Sequence, residues 1–469
     1  MRARMLRMAA AGPGAAAAMA LAVPVALAAS VALAAPDPPN PFDLVPHAAP
    51  APLSAGEWPL YGHDVANSRD GAAAGPSPEQ VLNLRPVWSV KSTDGDFTGT
   101  PVEADGTVVA VSGGGTVFAI DASTGALRWS RDLNQPANAS AAIAGGVVYV
   151  PLATTSAPAV AALSLADGSP VWTAVLDASQ GASAFGSPVV WNGTVYMGTS
   201  GELGDPNLPL RGAVVALDAA SGAVRWRTYM VPPGFSGAPV WSTPTIDTAT
   251  GRLYVGTGNA YNAPVADTTD AIVALDAGSG AIVDHFQATA DDAFSGSDSA
   301  AGPDYDFGAS ANLVTAADGR KLVGEGQKDG TYWALDRATM EPVWSQTTGP
   351  GTQLGGIIGS TAYDGTCIYG PDTPAGEQWA LTAGGAPAWL SSDGGPLHFN
   401  PTTVANGVVY SADMSGVLTA REAATGAILL KLPLGAPSYG GVSVAGGYVF
   451  AAVGTQGDSG YVVGYRAPA

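Results

Sequence analysis

A chain of 469 residues with 62 glycines, 37 prolines and only 12% charged residues suits many short strands and turns, and excludes a helical bundle. Its formal charge of −20 excludes a nucleic-acid partner, because phosphates need a basic surface. The single cysteine, Cys367, excludes an internal disulfide, and the four histidines are too scattered to form a recognisable zinc motif.

In chain order, Met1–Met8 carries Arg2, Arg4 and Arg7, and an apolar, Ala-rich run follows over Ala9–Ala35. Ala32-Leu33-Ala34 is a small-x-small cleavage pattern, with Ala26-Leu27-Ala28 as a competitor. The expectation is a signal peptide over residues 1–34 and an extracytoplasmic protein, with a retained membrane anchor as the competing reading. Residues 35–57 read as a flexible Pro/Ala-rich linker, and 58–469 as one domain.

That domain is a repeat. Ala119–Trp129 (AIDASTGALRW) is echoed at Ala162–Trp172, Ala216–Trp226, Ala274–Asp284, Ala334–Trp344, Ala380–Trp389 and Ala420–Leu430. A period of about 40–60 residues marks a propeller or solenoid. An eighth aromatic-tipped strand, Leu84–Val90, stands before the first copy, so it is expected to close the last blade. The fold class is therefore all-β: an eight-bladed β-propeller of four-stranded antiparallel blades, closed by an N-terminal strand.

Small triplets such as Gly99-Thr100-Pro101, Gly186-Ser187-Pro188 and Ser242-Thr243-Pro244 are expected to open the inner strands, where the axis is crowded. The Asp and Gly of each ALD-x-x-x-G stretch read as a turn, and the following tryptophan as a wedge between blades. Three connections are long: Ser200–Gly212, Gly258–Asp270 and Ala288–Phe307. All lie in the third to fifth blades, where function is expected to sit.

The repeat AIDASTGALRW resembles that of propellers binding pyrroloquinoline quinone (PQQ), over essentially Trp58–Tyr465. Val240–Asn259, Asp304–Ser310 (DYDFGAS) and Gly326–Asp336 resemble the polyvinyl-alcohol dehydrogenase branch. The resemblance implies Ca²⁺ ligands at Glu202 and Asn259, and Trp241 stacked on the cofactor. It also implies Lys328 beside the quinone oxygen and Arg211 on a cofactor carboxylate. Three departures stand beside it. The family's Asp-x-Trp-Asp segment, which ends in the catalytic base, reads Asp292-Ala293-Phe294-Ser295, leaving Asp292 or Asp298 as substitutes. The disulfide that covers the quinone in many members is impossible with one cysteine, and Ile358 stands where the polyvinyl-alcohol branch often has Trp.

Two readings follow. One is an exported dehydrogenase that uses PQQ and Ca²⁺, oxidises a small or polymeric alcohol and passes electrons to an external acceptor, with catalysis by Asp292 and Lys328. The other is a non-catalytic propeller that binds, scaffolds or senses, with an envelope protein as partner. A monomer is expected in either case.

Overall fold

The computed structural model describes residues 56–468 except 93, 154–155, 202–207, 296–301, 396 and 455–459. The expected signal peptide and nearly all of the linker lie outside the described residues, as does Glu202.

Each repeat folds as one antiparallel sheet, giving eight blades. Blade one comprises Val102–Ala104, Thr107–Val111, Thr116–Asp121 and Leu127–Asp132, paired in chain order. Its first two strands are wholly buried, whereas the fourth exposes alternate residues to solvent. Blades two to seven span residues 142–175, 182–229, 245–287, 312–347, 362–392 and 403–433. Blade three departs from four strands, because Ala182–Ser183 adds a short fifth one against Ser200 and Gly201.

Blade eight takes three strands from the end of the chain and its fourth, Arg85–Lys91, from the beginning. Arg85 faces Arg466 and Lys91 faces Tyr461, so the ring closes on the strand expected to close it. Closure of this kind removes the exposed edges of the first and last blades.

The tryptophans lock neighbouring blades. A Cβ placed on Gly125 would come within 2.5 Å of Trp88, and one on Gly168 within 2.6 Å of Trp129. Gly222, Gly280, Gly385 and Gly426 meet Trp172, Trp226, Trp344 and Trp389 of the preceding blade in the same way. Each of these glycines also has positive φ, so the turn needs glycine for both its backbone and its neighbour. Indole N–H groups of Trp88, Trp129, Trp172, Trp226 and Trp389 donate to carbonyls of Ala122, Leu165, Ala219, Ala277 and Ala423 in the next blade. The turn aspartates behave as expected: Asp121 Oδ1 accepts from the backbone N–H groups of Ser123 and Thr124.

One junction is built differently. Asp284 pairs with Ala274 where blades one, two, three, five and six pair Ala with Trp, and Met340, at φ 55°, replaces the turn glycine of blade five. Met340 is 2% exposed and packs in a core cluster with Tyr254, Ile272 and Leu335. The missing indole and the missing glycine occur at the same interface, so the methionine fills the space a tryptophan takes elsewhere.

Two features close the axis. Ser140 N–H donates to Ser187 Oγ, Ser187 N–H to Thr243 Oγ1, Thr243 N–H to Ser310 Oγ and Ser310 N–H to Ser360 Oγ. Hydroxyls thus satisfy inner-strand donors across four successive blade junctions, which explains Ser and Thr among the small residues of the triplets. The opening segment then winds round the axis. Carbonyls of Trp58, Pro59, Val65, Ala66, Ser68, Arg69 and Ala74 accept from blades one, two, four, five, six, seven and eight in turn. At its centre the buried Arg69 guanidinium donates to the carbonyls of Tyr61, Thr402 and Val442 and to Thr403 Oγ1. Burial lowers its pKa to about 10.

Candidate functional site

An axial cavity is rimmed by Tyr61, Phe185, Trp241, Phe399 and Tyr439, and its walls are the small residues of the triplets. Trp241 leans on the backbone of Gly308, where a Cβ would fall 1.9 Å from the indole ring. Glycine at 308 therefore sets the depth of the ring in the cavity.

Beside Trp241 the long connections of blades four and five converge. Lys328 lies in the turn between Lys321–Gly326 and Thr331–Asp336. A lysine in such a glycine-bounded turn would ordinarily be solvated; this one is 7% exposed. Its Nζ donates to Asp304 Oδ1 at 3.0 Å and to Asp306 Oδ2 at 3.1 Å, and lies 5.6 Å from the Trp241 ring centre. Burial alone would lower the ammonium pKa, but the two carboxylates hold it above its usual value.

Asp306 is fixed at both ends, since its other oxygen accepts the Asn259 N–H at 2.9 Å. The Asn259 side-chain nitrogen donates to the carbonyls of Ala260 and Phe294, which leaves its oxygen as the donor atom to offer a cation. Gly258 has to be glycine, because a Cβ would press within 2.6 Å of Asp306.

Two more buried acids surround this group. Asp292 Oδ2 accepts the Tyr305 N–H at 3.0 Å, so it orders the loop carrying Asp304 and Asp306. Among the described residues its Oδ1 has no hydrogen-bond partner, and neither has either oxygen of Asp270. Burial raises the pKa of Asp304 to about 7, with Lys328 opposing and Asp306 adding to the rise. Burial likewise raises Asp292, and Asp270 well above its ordinary value, each reinforced by neighbouring carboxylates. One lysine against four buried carboxylates leaves negative charge uncompensated. Orphaned carboxylate oxygens beside an amide oxygen are a donor set that fits a hard cation.

The structure thus brings together Trp241, Asn259, Lys328 and Asp292 of the residues singled out from sequence. Among the described residues, the Arg211 guanidinium stacks 3.9 Å from the Tyr229 ring centre and donates to the Val231 carbonyl, while its backbone bridges Gly237, which in turn bridges Ala260 beside Asn259. Glu202 lies outside the described residues, and Ser295 is buried. Asp304 and Asp306 were missed as chemistry. The acid–aromatic–acid order of Asp304-Tyr305-Asp306 was the signal, standing twelve residues after Asp292.

A family model described as outer membrane protein assembly factor BamB, of the PQQ_2 repeat type, matches residues 84–260, 210–381 and 375–463. The chain belongs to this PQQ-repeat family. Among curated relatives, the polyvinylalcohol dehydrogenase of Sphingopyxis sp. (strain 113P3) is 27% identical over 88% of this chain and 75% of its own length. Among solved structures, quinohemoprotein alcohol dehydrogenase from Comamonas testosteroni superposes with a TM-score of 0.74 at 22% identity, covering 88% of this chain and 82% of that one. A europium-containing methanol dehydrogenase gives 0.76 at 18% identity, covering 88% and 98%. The PQQ-repeat propeller shares its fold with these structures, and its curated relatives include dehydrogenases that act on alcohols.

Proposed function

We propose that this chain is an extracytoplasmic alcohol dehydrogenase that binds PQQ and a hard cation over Trp241. The observation that carries this reading is the Lys328–Asp304–Asp306 cluster, held against Asn259 and the Trp241 ring. Asn259 would hold the cation together with Glu202, with the orphaned Asp292 oxygen nearby, and Ca²⁺ suits those oxygens. PQQ, when bound, supplies the acceptor for the two electrons of the alcohol.

The chain's own residues do the rest. Trp241 offers a flat apolar floor, and the Lys328 ammonium provides positive charge where an oxygen gains negative charge. Asp306 has both oxygens committed, one to Asn259 and one to Lys328. Asp304 commits one oxygen to Lys328, and with a pKa of about 7 it is matched to taking the hydroxyl proton near neutrality. We therefore assign the base to Asp304 and give Asp292 the role of positioning it through the Tyr305 N–H. Electrons pass on to an external acceptor. The dehydrogenase relatives support a small or polymeric alcohol as substrate.

The test is reconstitution of purified protein with PQQ and Ca²⁺, followed by absorbance and dye-linked alcohol oxidation. Activity should need both additions and fall at least about a hundredfold in Asp304→Asn, as loss of a general base does. Failure to bind PQQ with Ca²⁺ present would sink the reading in favour of a non-catalytic binding or scaffolding propeller.

A further inference from the structure

Between blades six and seven lies a second group of buried charges that the proposed chemistry does not use. Asp393 and His398 come from the connection between Pro387–Ser392 of blade six and Thr403–Ala405 of blade seven. Asp413 comes from the turn between Val408–Ala412 and Val417–Glu422. One donor atom from each of the three lies within 4.8 Å of the others. The His398 ring is wholly buried, and the Asp393 side chain is 1% exposed.

The hydrogen bonds of these groups leave a gap of defined shape. Arg421 Nη2 donates to Asp393 Oδ2 at 2.6 Å and so accounts for that oxygen. Asp413 Oδ1 accepts from Ser415 N, Ser415 Oγ and Val417 N. The two other oxygens, Asp393 Oδ1 and Asp413 Oδ2, both face Gly395, where a Cβ would lie 2.9 and 2.6 Å from them. Gly395 is not among the glycines with positive φ, so what its missing side chain provides is room. The Gly395 N–H and His398 face Asp393 Oδ1, yet no cation from the protein is bonded to Asp413 Oδ2 among the described residues. Arg421 is drawn to both carboxylates, so one buried arginine faces two negative charges, and a second positive charge is needed in the gap between Asp393 Oδ1 and Asp413 Oδ2.

The histidine geometry agrees. His398 Nε2 lies 3.4 Å from Asp393 Oδ1, long for a charge-assisted bond of about 2.7–2.9 Å. It matches the edge of a tetrahedron with metal–ligand bonds of about 2.0–2.1 Å. The other ring nitrogen, Nδ1, is completely buried and has no hydrogen-bond partner among the described residues.

We propose that Asp393, His398 and Asp413 bind one divalent metal ion of the zinc class, with water in the fourth position. Imidazole in the donor set favours a zinc-like ion over Ca²⁺ or Mg²⁺, which take oxygen ligands. Arg421 holds the first carboxylate from outside, as groups around metal ligands commonly do. With its histidine wholly buried, the ion is structural. It ties the connection that presents Phe399 to the axial cavity onto blade seven, in a chain with a single cysteine and no disulfide.

The experiment titrates chelator-treated full-length chain with Zn²⁺ by calorimetry and with Co²⁺ by visible absorbance. One equivalent should bind, and Co²⁺ should give the intense visible band of a tetrahedral site. His398→Gln and Gly395→Ala should each weaken Zn²⁺ at least about tenfold, while Asn259→Ala leaves it unchanged. Gly395→Ala keeps every ligand and fills only the gap, so it decides the matter if His398→Gln fails to fold. Absence of the Co²⁺ band in the wild-type chain, or undiminished Zn²⁺ affinity in Gly395→Ala, would overturn the proposal and leave a metal-free Asp–His–Arg network.

Discussion

Lys328 donates to Asp304 at 3.0 Å inside a pocket of four buried carboxylates, and this pair sets how the protein responds to pH. Asp304 binds its proton more tightly in the folded chain than in the unfolded one, because burial raises its pKa to about 7. The stability it contributes is complete below the ordinary aspartate range and is lost as pH rises through about 7. In the absence of added cation, wild-type Tm should therefore fall by a few degrees relative to Asp304→Asn between about pH 4 and 8. Thermal unfolding of the two proteins across that range checks the sign, and equal pH slopes would contradict it.

Activity should run the other way. A base must be ionised, so turnover should rise with pH along a limb near 7. Lys328→Met removes the cation that opposes the rise in Asp304, and the limb should move up by about one unit or more. A kcat–pH profile of the reconstituted enzyme reads the shift.

The blade junctions predict stability effects of known direction. Gly168 has φ 69° and lies against Trp129, so Gly168→Ala adds backbone strain and a clash at once. It should cost about 1–3 kcal/mol in denaturant unfolding.

The odd junction can be rewired. Met340→Gly empties the space where other interfaces hold an indole, and should cost about 2–5 kcal/mol. Adding Asp284→Trp to Met340→Gly should recover a large part of that loss, because the pair restores the arrangement found at Trp226 and Gly280. Additive losses in the double mutant, measured as a mutant cycle, would show that the methionine is not a substitute for the indole.

Arg69 offers a fifth test. Its partners are three carbonyls and a hydroxyl, none of them a carboxylate, and Arg69→Met would take a donor from each, with only Trp58 Nε1 left on Tyr61 O and Thr403 Oγ1 on Val442 O. A loss of about 2–4 kcal/mol is expected, with Lys a poor replacement because it lacks the planar fork. Proteolysis of the winding segment from Trp58 to Ala74 should become faster in the same variant.

What could be read from the chain alone was whatever repeats locally. Asp121 caps its turn with atoms two and three residues away, and Gly168 needs its φ whatever surrounds it, so each copy shows in the sequence. Eight copies with one displaced to the front implied the closed ring, and Arg85–Lys91 paired with Tyr461–Arg466 as the order required. The cofactor cradle was legible only in part. Trp241, Asn259 and Lys328 stand out because a family resemblance names their positions, whereas Asp304 and Asp306 enter only as part of the segment DYDFGAS, with no role of their own.

Only the tertiary structure decided the rest. An aspartate is solvated or buried according to what the ring places above it, and no local pattern carries that information. Lys328 meets Asp304 and Asp306 across 24 and 22 residues, and Arg69 meets Val442 across 373. His398 and Asp413 belong to different loops with no metal-binding spacing between them, and closure of blades six and seven alone brings them to one gap. Local geometry wrote the propeller into the sequence, while the charges that could give it chemistry meet only when the ring shuts, because desolvation and Coulomb forces depend on distances the chain order does not encode.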